Sequence, residues 1–284
     1  MREFRLTFRP RRYIIEMRKN ASPEREAKED TVAKIVAFSN QKGGVGKTTS
    51  CVNIAAAVAK RGKNVLLVDM DPQGNATTGV NVSKRSAPHN VYEVIVGQCT
   101  ANEALVRTNY KNLWIIPSSL DLAGVEHDIF EMESREKVLR EVLAPVLPLF
   151  DYVFIDCPPS LGMITVAVLT AADGVVIPMQ CEFYSMEGLS QLLVTIRRVR
   201  QSTNEKLEIV GILLTMYNGR LTQTKQVVDD LKRYYADKLF TTPITRSVKV
   251  SEAPSYGTPL CYHDPYGKAT LEYADVAKEL TLRI

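Results

Sequence analysis

A glycine-rich loop between a β-branched run and a helical stretch constrains this chain more than any other feature of its sequence. Residues 34–39 form the run, residues 41–46 the loop, and residues 48–61 a helical stretch that Gly62 closes. Glycines let backbone N–H groups turn inward at a helix N-terminus, where they attract anions. A strand, a glycine-rich loop and a helix in this order predict an α/β protein with an anion site after the first strand.

The rest of the chain repeats the same alternation of short apolar runs and longer helical stretches. Further strands are predicted at 64–69, 113–116, 152–156, 174–179 and 208–216, and further helices at 186–201 and 269–280. Helices between successive strands favour parallel pairing, with helices covering both faces of the sheet. The predicted fold is a three-layer α/β/α domain around a mostly parallel, twisted sheet.

Composition and charge narrow the class of protein. No apolar run approaches the roughly 20 residues of a membrane-spanning helix. The five cysteines are widely spaced and form no Cys-x-x-Cys pair, which favours reduced thiols. A soluble, cytoplasmic protein is therefore expected.

The positive charge of the chain is concentrated at its N-terminus. Residues 1–20 contain seven Lys or Arg and two Glu, whereas the whole chain has a net charge of +4. Residues 22–30 are charged and almost without apolar side chains, which is typical of a flexible segment. We expect a basic, flexible extension over residues 1–31 and a single domain over 32–284, although an alternative start near Met17 fits the sequence equally well.

The loop itself is close to the Walker A pattern G-x-x-x-x-G-K-[ST]. Residues 41–48 read QKGGVGKT, so Gln41 stands where the pattern has its first glycine. In this pattern Lys47 contacts the β- and γ-phosphates, and the hydroxyl of Thr48 binds Mg²⁺. The predicted nucleotide contacts in this loop are Lys42, Gly43, Gly44, Val45, Gly46, Lys47, Thr48 and Thr49.

Acidic residues follow two of the predicted strands. Asp69 and Asp71 end the run 65–69 and, one residue apart, point the same way along an extended chain. Asp156 ends the run 152–156, as the acid of a Walker B strand does, and is predicted to hold Mg²⁺ together with Thr48. These carboxylates lie beyond the carboxyl ends of strands, where open α/β sheets bind their ligands.

The additional lysine, Lys42, gives the loop its resemblance to the deviant Walker A ATPases, the family that includes the ParA/Soj and MinD proteins. Segments 69–75, 156–162, 180–189 and 250–257 resemble ParA/Soj in particular. The resemblance implies an ATP- and Mg²⁺-dependent ATPase in which Lys42 reaches the nucleotide of a second subunit, so that ATP binding and homodimerisation are one event. It also implies that Asp71 orients the attacking water, that Asp69 is structural or close to the metal, and that Lys42, Lys47 and Asp71 form the catalytic set.

Two further assignments rest on the same resemblance. Thr245 and Ser247 match a family loop that contacts the adenine, although they replace its proline and asparagine. Nonspecific binding of double-stranded DNA is assigned to Arg220, Arg246 and Lys249, with Arg197, Arg198 and Arg200 as a further group. The resemblance implies a ParB-type (Spo0J-like) centromere-binding partner that stimulates hydrolysis, and a place on the nucleoid.

Two alternatives compete with DNA partitioning. One is a MinD-like spatial regulator that acts on protein or membrane partners, although MinD-type relatives carry a C-terminal amphipathic membrane helix beyond the domain, whereas an ordinary helix, 269–280, is the last one predicted here. The other is an electron-transfer ATPase resembling nitrogenase iron protein, which needs paired cluster cysteines; Cys99 and Cys157 lack that context.

Overall fold

The computed structural model describes residues 33–182 and 185–284. The predicted extension over residues 1–31 therefore lies outside the described residues, as do Phe183 and Tyr184 of the ParA-like segment 180–189. The domain boundary at residue 32 stays a prediction.

In the part of the chain that the structure describes, seven strands form one sheet, and all but one of them run parallel. They are β1 (Lys34–Phe38), β2 (Val65–Asp69), β3 (Val106–Arg107), β4 (Leu113–Ile116), β5 (Tyr152–Asp156), β6 (Gly174–Gln180) and β7 (Glu208–Thr215). The strand order is β3-β4-β2-β5-β1-β6-β7, and only the short edge strand β3 pairs antiparallel. The predicted mostly parallel sheet is confirmed.

Eleven α-helices are found among the described residues. They are α1 (Lys47–Lys60), α2 (Asn75–Gly79), α3 (Val91–Ile95), α4 (Val125–Asp128), α5 (Val138–Leu143), α6 (Met163–Ala171), α7 (Ser185–Ser202), α8 (Thr222–Tyr235), α9 (Val248–Glu252), α10 (Leu260–His263) and α11 (Lys268–Arg283). Single 3₁₀ turns occupy Leu120–Gly124, Arg135–Lys137, Leu147–Leu149, Ala236–Lys238 and Ala253–Tyr256. None of the described helices is long and apolar enough to cross a bilayer.

Two separate hydrophobic cores lie on the two faces of the sheet. One contains the apolar sides of α1 and α11, and the other those of α5, α6 and α7. A parallel strand has helices on both sides, so β2 is buried at every position. The predicted three-layer α/β/α fold is confirmed. Because the strands are parallel, their carboxyl ends lie at the same edge of the sheet.

The interior strand β1 is paired with β5 on one side and β6 on the other. The loop after β1 therefore opens between the ends of both neighbours. On the β5 side, Asp69 of β2 is the register partner of Asp156. The predicted acidic residues thus meet beside the glycine-rich loop, as expected for a ligand site in an open α/β sheet.

Candidate nucleotide-binding site

The backbone of the phosphate loop (residues 41–48) is shaped to approach an anion. Gly44 and Gly46 have φ angles of 72° and 83°, in the left-handed region that favours glycine. Gly46 is the N-cap of α1, and no described side chain caps that helix. A Cβ built on Gly43 or Gly44 would meet no atom within 4 Å. The loop therefore presents open space and free helix N–H groups to a phosphate chain.

Two neighbouring strands hold this loop in place. The amide of Gln180, at the end of β6, donates to the carbonyl of Gly44 at 2.9 Å, and the hydroxyl of Thr215, at the end of β7, donates to the carbonyl of Val45 at 2.8 Å. Sequence reasoning did not find these contacts, because they join residues 136 and 170 positions apart.

Lys47 lies inside the site. Its side chain is buried, and its ammonium group donates to the carbonyl of Lys42 at 3.0 Å. Burial lowers the pKa of Lys47, while the charges of Asp156 and Asp71 oppose that shift. A cation held by its own loop and flanked by carboxylates is placed to meet phosphate and metal together.

Lys42, unlike Lys47, lies at the surface of the protein. Its ammonium group forms an ion pair with Glu182, which follows β6, and its side chain is 34% exposed. Its backbone N–H donates to the side chain of Asn40 at 3.0 Å, which fixes the start of the loop. The two lysines of the loop therefore occupy different environments, one buried and one at the surface. The partner Glu182 was not predicted.

The first acidic strand end is organised around Asp69. This buried carboxylate accepts from the backbone N–H of Thr77 at 2.7 Å and from its hydroxyl at 2.6 Å, and more weakly from the N–H of Asp71 at 3.3 Å. Burial raises the pKa of Asp69, and the two Thr77 bonds oppose the rise. A carboxylate with both oxygens engaged is well suited to a positioning role.

Asp71 is buried beside Asp69 but keeps more of its side chain available. One oxygen accepts from the N–H of Gln73 at 2.9 Å. Its carbonyl accepts from the hydroxyl of Ser118 at 2.7 Å, and the N–H of Ser118 donates to the Thr77 hydroxyl at 3.1 Å. Thr77 and Ser118 therefore join Asp69 and Asp71 into one network that sequence reasoning missed.

Asp156 provides the test of whether the site suits a metal ion. The residue is fully buried, and neither carboxylate oxygen has a hydrogen-bond partner among the described residues. Burial raises the pKa of Asp156 well above its ordinary value, and the charge of Asp69 raises it further, while the charge of Lys47 opposes the rise. A buried carboxylate without partners is costly, and a hard cation with oxygen ligands would satisfy it. The residues present therefore fit Mg²⁺.

The predicted adenine contacts lie at the end of β7. Tyr217 and Thr245 form an isolated parallel bridge, and the N–H of Tyr217 donates to Ile244. Both the N–H and the hydroxyl of Thr245 donate to the carboxylate of Glu272 on α11. The Thr245 hydroxyl thus donates to Glu272, and its contact with a nucleotide base stays a prediction. Ser247 is half-buried and is the N-cap of α9, with no side-chain capping bond.

The same bridge brings together the segments that carry the predicted DNA contacts. Arg220 follows Tyr217 by three residues, and Arg246 and Lys249 follow Thr245; all three basic side chains are exposed. Lys249 forms an ion pair with Glu252 at 3.0 Å. The other group, Arg197, Arg198 and Arg200, is exposed on α7, and Arg200 donates to the carbonyl of Leu207.

Comparison with known proteins identifies the family. A protein-family profile described as an AAA domain matches residues 33–209, more than half of the chain. The sporulation initiation inhibitor protein Soj of Bacillus subtilis (strain 168) is 47% identical over 249 residues, which cover 88% of this chain and 98% of Soj. This chain belongs to the ParA/Soj family of partitioning ATPases.

Two further comparisons, one with a curated protein and one with a solved structure, support the same family and fold. The chromosome partitioning protein ParA of Caulobacter vibrioides is 42% identical over 252 residues, covering 88% of the chain and 94% of ParA. A solved structure of cobyrinic acid a,c-diamide synthase from Mycobacterium smegmatis, with bound ADP and magnesium, is 37% identical with a TM-score of 0.76, covering 87% of this chain and 93% of the other. The predicted family, fold and ATPase class are confirmed.

Proposed function

We propose that this ParA/Soj protein dimerises when it binds ATP, binds double-stranded DNA nonspecifically as a dimer, and is reset when a ParB-type partner stimulates ATP hydrolysis. Cycles of this kind would segregate chromosomal or plasmid DNA. The observation that carries the proposal is the placement of Lys42. It lies in the phosphate loop, yet it is partly exposed and faces Glu182 rather than the interior that Lys47 occupies.

A surface cation in the phosphate loop suits action in trans. Lys47 already supplies the buried charge for the nucleotide of its own subunit. Lys42 can exchange its exposed partner Glu182 for the phosphates of a second subunit without exposing a buried charge, because the exposed ion pair is weak. A cation delivered in this way stabilises the charge of phosphoryl transfer as an arginine finger does.

The remaining chemistry is assigned to residues already in place. Thr48 and Asp156 would hold Mg²⁺, which neutralises the phosphate oxygens. The Asp69–Thr77–Ser118 network holds the backbone of Asp71 through its N–H and its carbonyl, and we assign to the Asp71 carboxylate the orientation of the attacking water. The free N–H groups of α1 would bind the phosphates.

DNA binding is assigned to the exposed basic side chains at the end of β7. Arg220, Arg246 and Lys249 lie on two segments that the Tyr217–Thr245 bridge holds side by side. Contacts to phosphates need charge and position rather than base-reading geometry. A dimer doubles the number of such contacts, so DNA affinity should depend on the ATP state.

The test measures retention on DNA with ATP, ADP and no nucleotide, together with the oligomeric state. We expect ATP-dependent dimers and ATP-dependent DNA binding in the natural chain, and neither in Lys42→Ala. Lys225→Ala, which removes an exposed lysine from α8, is the matched control and should behave as the natural chain.

The DNA surface is tested separately. Arg220→Glu should still dimerise with ATP but lose DNA binding, and the slope of log affinity against log salt should fall by about 0.9 for each lost phosphate contact. Arg233→Glu is the control: it makes the same charge change at an exposed residue near the C-terminal end of α8, whereas Arg220 lies just before the start of that helix. Tight DNA binding by the ADP form, or equal losses in both variants, would contradict the proposal.

A further inference from the structure

A second group of ligand-type side chains lies around helix α3, outside the phosphate loop. His89 precedes the helix, Glu93 is in its first turn, and Cys99 follows its end. One ligand atom from each, a ring nitrogen, a carboxylate oxygen and the thiol sulfur, can be chosen so that all lie within 4.8 Å of one another. No other group of three such residues meets this criterion in residues 33–182 and 185–284.

The local backbone builds this arrangement. Asn90 caps α3: its side-chain oxygen accepts from the N–H of Glu93 at 3.2 Å, while its amide donates to the Glu93 carboxylate at 3.0 Å. Gly97, with a φ of 75°, turns the chain back, and the N–H of Cys99 donates to the carbonyl of Glu93 at 3.3 Å. Hydrogen bonds therefore tie both other members of the cluster to Glu93: Cys99 through its backbone N–H and His89 through its ring.

The ligand chemistry is that of a borderline-soft divalent ion. Imidazole, carboxylate and thiolate are all zinc ligands, with bonds of about 2.0–2.3 Å that place ligand atoms roughly 3.3–3.8 Å apart in a tetrahedron. His89 and Glu93 already contact each other at 2.6 Å, so a bound ion would require that contact to open. All three residues are only partly buried, which leaves room for the ion to enter.

The charge around Cys99 also favours a cation. The carboxylates of Glu93 and Glu103 lie close enough to Cys99 for their negative charges to act on its thiol. The carboxylate of Glu103 is itself fixed by the N–H and hydroxyl of Thr100, both at 2.8 Å. Two carboxylates beside a thiol and an imidazole form a negative environment in which a divalent ion would replace the thiol proton.

We propose that His89, Glu93 and Cys99 form a binding site for a divalent transition-metal ion, with Zn²⁺ as the expected occupant. Three protein ligands leave the fourth position to water. The hydrogen bond from Asn90 to Glu93 supports the ligating carboxylate from outside, as partners of metal ligands commonly do.

The experiment uses the full chain, stripped with a chelator, without nucleotide and with excess Mg²⁺ to fill sites for hard cations. Co²⁺ serves as the spectroscopic probe and Zn²⁺ as its competitor. We expect one Co²⁺ per chain with a thiolate-to-cobalt absorption band, displacement by Zn²⁺, and release of about one proton from the thiol on binding. Cys99→Ser should lose the band and bind Zn²⁺ roughly tenfold more weakly or worse, as should His89→Gln.

Cys181→Ser is the matched control, because Cys181 is also a half-buried thiol but lies outside the cluster. It should keep the band and the affinity. Should Cys99→Ser fail to fold, alkylation of the natural chain gives an independent readout. Zn²⁺ but not Mg²⁺ should protect Cys99 from the reagent and leave Cys181 reactive. A cobalt spectrum without a thiolate band, an unchanged band in Cys99→Ser, or equal protection of both thiols would overturn the proposal.

Discussion

Replacing Thr77 by valine tests whether the hydrogen-bond network around Asp69 stabilises the site. Valine has nearly the shape of threonine, so Thr77→Val removes a hydroxyl from a fully buried position without creating a large cavity. That hydroxyl donates to the Asp69 carboxylate at 2.6 Å and accepts from the N–H of Ser118 at 3.1 Å. Both bonds are lost together.

The two losses can be estimated separately. A hydrogen bond to a charged group contributes about 1.5–3 kcal/mol, and a buried N–H left without a partner costs about 1–3 kcal/mol. The free energy of unfolding should therefore fall by roughly 2.5–6 kcal/mol. Because the Thr77 bonds lower the pKa of Asp69, the substitution should also raise that pKa. A higher carboxyl pKa in the folded state means that stability is lost as pH rises, so the deficit should be larger at about pH 8 than at about pH 5.

Urea unfolding of the nucleotide-free protein at these two pH values measures the effect. Thr170→Val is the matched control, because Thr170 is equally buried but shares its hydroxyl bond only with the neutral Thr203, at 2.8 Å. Its cost should be about 0.5–1.5 kcal/mol and independent of pH. A Thr77→Val deficit no larger than that of Thr170→Val, or one that does not grow with pH, would refute the role given to Asp69.

Three further predictions concern Asp156, a pair of glycines, and Glu182. Asp156→Asn should raise the unfolding midpoint of the nucleotide-free protein, most at high pH because the folded carboxyl pKa is raised, while Mg²⁺-dependent ATP binding in a titration is lost. Gly257→Ala should lower the free energy of unfolding in urea by about 2–3 kcal/mol, because the new Cβ would lie 2.9 Å from the Cα of Asn81. Gly62→Ala is its control: Gly62 also has a positive φ but open space around it, so this change should lower the free energy of unfolding by only about 1 kcal/mol. Glu182→Gln should change the free energy of unfolding by no more than about 1 kcal/mol, because the ion pair with Lys42 is exposed. It should also free Lys42, so that light scattering detects dimers at a lower ATP concentration. An unchanged ATP midpoint for dimerisation would show that the ion pair does not restrain Lys42.

The strands of the sheet were predictable because each is a short apolar run between charged or glycine residues. The predicted bounds of β4 and β5 match the structure, and those of β1, β2, β6 and β7 differ by one residue at one end. The strand β3 was missed, since Val106–Arg107 is too short to show periodicity and is defined only by its pairing with β4.

The site was predictable where a motif fixes the spacing and not where distant segments meet. Lys47, Thr48 and Asp156 follow from a loop and a strand end whose chemistry is local. The partner of Lys42 is Glu182, 140 residues away, and Ser118 joins Asp71 across 47 residues. Such contacts depend on the strand order, which a single sequence does not determine.

The balance of charge in the site explains why nucleotide and metal should bind together. The carboxylates of Asp71 and Asp156 act on the buried cation Lys47, and Asp69 lies beside Asp156. Burial, with repulsion among these carboxylates, raises the pKa of both Asp69 and Asp156, so negative charge is costly at this end of the sheet and a triphosphate entering alone would add to it. A divalent cation would offset the charge of both the nucleotide and the protein, because it neutralises phosphate oxygens and satisfies the unpartnered oxygens of Asp156. Affinity for ATP should therefore fall much more steeply on removal of Mg²⁺ in the natural chain than in Asp156→Asn.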